Sequence, residues 1–212
     1  ITDYRLGEYP PLEAQLIDRA DEIAYNAADL DDAFEARLLD TAALRDEVPL
    51  ARELLDAAEK SYPQAPRKLQ FNEALRGLIN RLTTDLIENT RVALAHHRIQ
   101  SVEAVRRHAT RLVDFSPEGS GHSQALKRFL HRRLYSHPQI LEDRDRAVGV
   151  VERLFELYLA QPDRMPKQYF EQTQTAPVHR VACDYIAGMT DTYLLRVAAE
   201  ALPALKQGAG IA

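Results

Sequence analysis

Asp21, Tyr25 and Asp29 recur at intervals of four in the segment LEAQLIDRADEIAYNAADLDDA, Leu12 to Ala33. Each step of four turns a helix by about 40°, so the three side chains share one face over two turns. That face presents a carboxylate, a phenol and a second carboxylate in a row. Asp21 offers a hard oxygen ligand for a divalent cation. Tyr25 offers a flat ring and a hydroxyl donor. Asp29 can accept hydrogen bonds from a sugar hydroxyl or a base edge. Spacing alone is equally satisfied by a solvated acidic face, which is the ordinary state of charged residues on a helix, and by a half-buried Tyr25.

Other reactive residue types are weaker candidates. His96 and His97 point about 100° apart on a helix and sit near its C-terminus, where the dipole favours imidazolium, so an end-of-helix role is expected rather than a shared metal. His122 reads as a surface residue. Lys127, Arg128, His131, Arg132 and Arg133 form a basic helix that either faces phosphate or is a solvated face flanking Leu126, Phe129, Leu130 and Leu134. Tyr135 and His137 precede Pro138 and read as a structural turn. Asp184 and Asp191, seven apart around Gly188, read as one face of a packed helix. Cys183 reads as a small core residue, since no activating base is identifiable. The GSG at Gly119–Gly121 is too short to define a phosphate loop.

The elements that must position these residues read as helices throughout. Pro10 and Pro11 open the first helix, Leu12 to about Ala28, with Leu12, Leu16, Ile17, Ala20, Ile23, Ala24 and Ala27 as its apolar positions. Asp29 to Asp32 caps a short following helix holding Phe34, Leu38 and Leu39. Further helices are expected over Pro49–Lys60 and Arg67–His97, the latter with Phe71, Leu75, Leu78, Ile79, Leu82, Leu86 and Ile87 as its stripe. Ser101 caps a short one. Phe115 to His122 reads as a loop, with Ser123 capping the basic helix. Pro138 begins a helix to Ala160, and the last helix runs from Ala176–Pro177 to about Lys206. No period-two strand pattern and no repeat is present. The fold class is all-α, with residues 1–212 forming a single helical domain, 67–206 its C-terminal helical region and 12–33 the segment that carries chemistry.

Composition agrees with that frame. The chain has 212 residues, 45% hydrophobic and 28% charged, with eight glycines and no tryptophan. The formal net charge of -5 excludes a generic coat for nucleic acid, although a single nucleotide needs only a few local cations. One cysteine excludes an intramolecular disulfide and fits a reducing, cytoplasmic setting. No apolar run approaches the ~20 residues of a membrane span, and no signal peptide is visible. The chain begins at Ile1 rather than methionine, which is read as a processed protein, a trimmed one or a piece of a longer polypeptide.

ADEIAYNAADLDD resembles the last metal-ligand motif of the HD-superfamily deoxynucleoside triphosphate (dNTP) triphosphohydrolases, the dGTPase-like enzymes. YRLGEYPPLEAQLIDRA resembles that family's lead-in, and LIENTR (Leu86 to Arg91), FSPE (Phe115 to Glu118), LKRFLHRRLYSHP (Leu126 to Pro138) and DYIAGMTDTY (Asp184 to Tyr193) continue it in order. The resemblance implies metal-assisted hydrolysis of a dNTP, dGTP among the candidates, to deoxynucleoside and triphosphate with a divalent metal such as Mg or Mn. It implies that Asp21 is the distant metal ligand, that Tyr25 lies against the sugar and rejects a ribose hydroxyl by clash, and that Asp29 lies near the 3′ hydroxyl. The family's other ligands, a histidine and a His-Asp pair, lie upstream, and no His-Asp dipeptide occurs here. The chain alone is therefore expected to be inactive, because one aspartate does not fix a catalytic metal. Expected partners are the upstream HD segment of the same protein and a homo-oligomer. Single-stranded DNA or a nucleotide effector has no support in the sequence. The competing reading is a non-catalytic helical module for oligomerisation or regulation.

Overall fold

The computed structural model describes residues 5 and 7–202. Described residues form helices and connections, with no strand among them, as the periodicity requires. Their contacts cluster into two compact units that meet in sequence at His137 and Pro138, where the pattern alone reads as one domain.

The first unit holds α1 (Leu12–Glu35), α2 (Thr41–Glu47), α3 (Pro49–Ser61), α4 (Arg67–His96), α5 (Val102–Arg106), α6 (Pro117–Phe129) and a π-helical turn, Leu130–Leu134. Its core joins Leu30 of α1, Leu44 of α2, Leu50 and Leu55 of α3, and Phe71, Leu78 and Leu82 of α4, all nearly inaccessible. Phe34 stacks on Phe71 with centroids 4.2 Å apart.

Three expectations about this unit are corrected. First, α1 does not stop near Ala28. Leu30 and Ala33 continue its buried stripe, and Asp31 and Glu35 reach Lys68 of α4 at 2.6 and 2.5 Å. The acidic run thus faces a cation within the helix, and the cap of the next helix is Asp40, which accepts from the N–H groups of Ala42 and Ala43. Leu38 and Leu39 lie in the connection between the two helices. Second, the buried side of α1 is Gln15, Ile23, Asn26, Ala27, Leu30 and Ala33; of the expected stripe only Ile23 and Ala27 belong to it, while Leu16, Ile17, Ala20 and Ala24 are exposed. Ile79 and Ile87 of α4 are likewise exposed. Third, of Phe115 to His122 only Phe115 and Ser116 are loop, and the rest is helix. Ser116 accepts from the Gly119 N–H at 3.0 Å, Pro117 occupies the first helical position, and α6 runs on through both glycines. Ser123 is no cap but a buried donor to Glu22 at 2.6 Å.

Gly119 has a steric reason. A Cβ there would lie 2.0 Å from the Asp85 carboxylate, which accepts from both the backbone N–H and the hydroxyl of Ser116. Asn89, one turn further along α4, donates to the Asp114 carbonyl at 2.9 Å. Asp85 and Asn89 of α4 thereby hold the start of α6.

The second unit holds α7 (Pro138–Ala160), a 3-10 turn (Pro162–Arg164), α8 (Lys167–Gln172), α9 (Val178–Ala187) and α10 (Asp191–Ala201). Its core is Val150, Leu154, Tyr158, Met165, Val181, Ala182, Tyr185 and Ala198. The expected final helix is two helices. The first ends at Gly188, and Thr190 caps the second by accepting from the Tyr193 N–H. Residues 203–206 lie outside the described set. Asp184 and Asp191 consequently stand on different helices, and Asp184 pairs with Arg180 at 2.9 Å. Cys183 is exposed rather than a core residue, because Val181, Ala182 and Tyr185 take the inward positions of α9.

Candidate functional site

Asp21, Tyr25 and Asp29 all fall within the unbroken α1, so its geometry puts them on one side in axial order. Asp21 is exposed, Tyr25 is 65% exposed and Asp29 is half-buried. Around them Ile17, Ala20, Ala24 and Ala28 are exposed on the same side, together with Asp18 and Asp32. Asp21 forms no ion pair among the described residues, unlike Asp18, whose carboxylate meets Arg111 at 2.8 Å. A helix whose inner side is buried and whose outer side carries Leu16, Ile17 and Tyr25 among its acidic residues has apolar surface on both sides.

The elements that hold α1 in place are polar as well as apolar. Gln15 is fully buried: its amide donates to the Pro10 carbonyl at 2.8 Å, and its oxygen accepts from the N–H groups of Leu112 and Val113 at 2.9 and 3.2 Å. Arg111 donates to the Gln15 carbonyl and the Val113 carbonyl. Glu22, on a different side from Asp21, lies between Arg19, Ser123 and Lys127 at 3.0, 2.6 and 2.8 Å. Burial works against its charge, but the hydrogen bonds from Lys127 and Ser123 outweigh it and hold the carboxyl below the usual carboxylate range. Lys127 of the basic helix is thus engaged with α1.

The residue that sequence reasoning missed is Tyr135. Its hydroxyl donates to Oδ2 of Asp29 across 106 positions of chain. Partial burial pushes the phenol up to about 12, and the hydrogen bond to the Asp29 carboxylate and its negative charge push the same way. The π-helical turn just before Tyr135 buries Leu130 and Leu134 and delivers the ring to α1. The Tyr-x-His-Pro pattern drew attention to Tyr135, but no spacing rule connects it with a helix a hundred residues earlier. The other candidates sit apart. His96 ends α4, His97 caps it, and its ring lies 4.4 Å from that of His108. His122 lies on α6 within 3.6 Å of Glu118.

Among the described residues no group of three or more His, Cys, Asp or Glu side chains is placed to hold a metal ion. Asp21 contributes one carboxylate only, so the described residues do not constitute a metal centre by themselves. No described helix is long and apolar enough to cross a membrane.

Comparison with known proteins agrees with the motifs. Residues 113–200 match the phosphohydrolase-associated domain. The deoxyguanosinetriphosphate triphosphohydrolase-like protein of Brucella suis is 38% identical over 197 residues, covering 92% of this chain and 49% of that protein. The proteins of the same name from Bartonella quintana and Geobacter sulfurreducens are 34% and 36% identical over 92% and 89% of the chain. The chain spans about half the length of these curated relatives. With an all-α fold, these matches support the resemblance of the chain to HD-superfamily, dNTP triphosphohydrolase-like proteins.

Proposed function

We propose that the outer side of α1 forms one wall of a dNTP-hydrolysing site whose remaining wall is an HD segment carrying the missing histidines. The observation that carries the reading is Asp21, exposed and without a cation partner among the described residues, in the middle of an apolar strip made by Ile17, Ala20, Ala24, Tyr25 and Ala28. Docking of a second segment there removes apolar surface from water and encloses a single carboxylate, the setting in which a hard-oxygen ligand serves a divalent cation. A bound metal supplies Lewis-acid activation of a phosphoryl oxygen. Tyr25 presents its ring to the sugar and excludes a 2′ hydroxyl by contact. Asp29 engages Tyr135 through Oδ2, which leaves its second oxygen to accept from the sugar's 3′ hydroxyl.

The test measures triphosphate release from dGTP with manganese or magnesium. The 212-residue chain alone should release none, and a co-purified polypeptide bearing the upstream histidine and His-Asp pair should restore turnover. In that assembly Asp21→Ala should abolish metal-dependent turnover, and Tyr25→Ala should erode discrimination against GTP. Turnover by the chain alone, or unchanged turnover and metal content in Asp21→Ala, overturns the assignment.

A further inference from the structure

We infer that the open cleft lined by His131, Arg132, Arg133 and Ser136 binds a small polyphosphate anion. The cleft has a volume of about 400 Å³, and none of its lining residues is on α1. Arg132 and Arg133 both close on one carboxylate, that of Glu47 at the end of α2. Arg132 donates through Nη2 at 2.7 Å, and Arg133 through Nε and Nη2 at 2.8 and 2.6 Å.

Two guanidiniums on one carboxylate leave a surplus positive charge, and burial sorts the charges. The Glu47 side chain is 19% exposed, whereas Arg132 and Arg133 are 64% and 56% exposed, so the cationic side faces the cleft mouth. Arg132 uses a single nitrogen in the described hydrogen bonds, which leaves other N–H groups of its fork uncommitted. Exposed pairs of this kind add little stability. Their geometric value is that the side chains are already ordered when an anion arrives.

The backbone here points the same way. His131, Arg132 and Arg133 lie on the π-helical turn, a rare local geometry that concentrates at functional sites. The cleft's size suits a ligand larger than a single phosphate. No phenylalanine or tyrosine is among its described lining residues, and the chain's net charge of -5 disfavours a nucleic-acid backbone. Forked arginine donors match a run of phosphoryl oxygens.

Calorimetric titration of the purified 212-residue chain with inorganic tripolyphosphate tests this. Saturable one-to-one binding that weakens with salt is expected. Arg132→Gln should lower affinity about tenfold or more, and Arg133→Lys, which keeps the charge but loses the fork, should lower it about fivefold. Circular dichroism melts should confirm that both variants fold. Arg144→Gln, an exposed arginine of the second unit, should leave tripolyphosphate binding unchanged. A nucleoside triphosphate should bind about as well as tripolyphosphate if phosphate is the recognised group. Absence of saturable binding, insensitivity to both cleft variants, equal loss in Arg144→Gln, or tighter binding of an oligothymidylate would each overturn the proposal.

Discussion

The two units are held together by different kinds of interaction. In the first, charged and amide side chains reach across long stretches of sequence: Gln15 to Leu112, Arg19 to Asp114, Glu22 to Lys127, Lys68 to Asp31, and Arg132 and Arg133 to Glu47. In the second, the described ion pairs join residues no more than four positions apart, as in Arg146 with Glu142, Lys167 with Glu171 and Arg180 with Asp184. There the long-range work falls to apolar packing and to a tyrosine group. Tyr185 lies 4.6 Å from Tyr169 and 5.5 Å from Tyr158, and its hydroxyl meets that of Tyr193 at 3.2 Å. Burial, more than these neighbours, pushes the Tyr185 phenol well above the usual phenolic range. Apolar packing tolerates small shifts, whereas a directional polar contact fixes position. The unit that carries the candidate site is the one whose elements are positioned by directional contacts.

That contrast can be broken at its strongest point. Gln15→Ala strands two buried N–H groups and one carbonyl, and should destabilise the first unit by roughly 3 kcal/mol or more. Arg180→Ala, removing a local exposed pair from the second unit, should leave stability nearly unchanged. Urea unfolding of both variants measures the difference, and equal midpoints would dissolve the distinction.

An intermediate effect is expected at the α4–α6 junction. Gly119→Ala forces a methyl against Asp85 and should cost about 2 kcal/mol, the scale of an overpacked site. Gly121→Ala, where an added Cβ meets nothing within 4 Å, serves as the matched control and should not destabilise. A thermal melt of the pair distinguishes steric need from a general requirement for glycine in this helix.

The smallest effect sharpens the link between Tyr135 and Asp29. Burial and the Asp29 carboxylate push the folded-state phenol up to about 12, above its ordinary value of 10.0. A group raised on folding contributes stability that is fully present below the unfolded value and is lost as pH rises toward the folded one. Tyr135→Phe should therefore flatten the loss of stability between about pH 10 and pH 12. Unfolding free energies measured across that range read the slope. An unchanged slope would show that the contact has no energetic consequence.

Much of this fold was legible because its signals are local. Pro49, Pro138, Ser101 and the boundaries near Lys60, His97 and Ala160 follow from caps, prolines and period, and the structure has helices where they indicate. What stayed hidden depends on distant partners. The DLDD run reads as a cap until Lys68 is brought beside it, and FSPEGSGH reads as a loop until Asp85 explains why a glycine must sit in a helix. The α1 stripe was misread for a different reason. Apolar residues occur on both sides of that helix, and a periodic pattern cannot say which side faces the rest of this chain. For the candidate site, the four-residue spacing brought out Asp21, Tyr25 and Asp29, while Tyr135 required the third dimension.

The π-helical turn at Leu130–Leu134 also acts as a phase setter. One additional residue in a turn rotates everything downstream by about 100° relative to uninterrupted α-helix. Loss of a single amino acid within these five positions would let the segment relax into ordinary helix, swing Tyr135 away from Asp29, and uncouple chain length from helical content as measures of damage. Insertions and deletions here are thus a different class of change from substitutions.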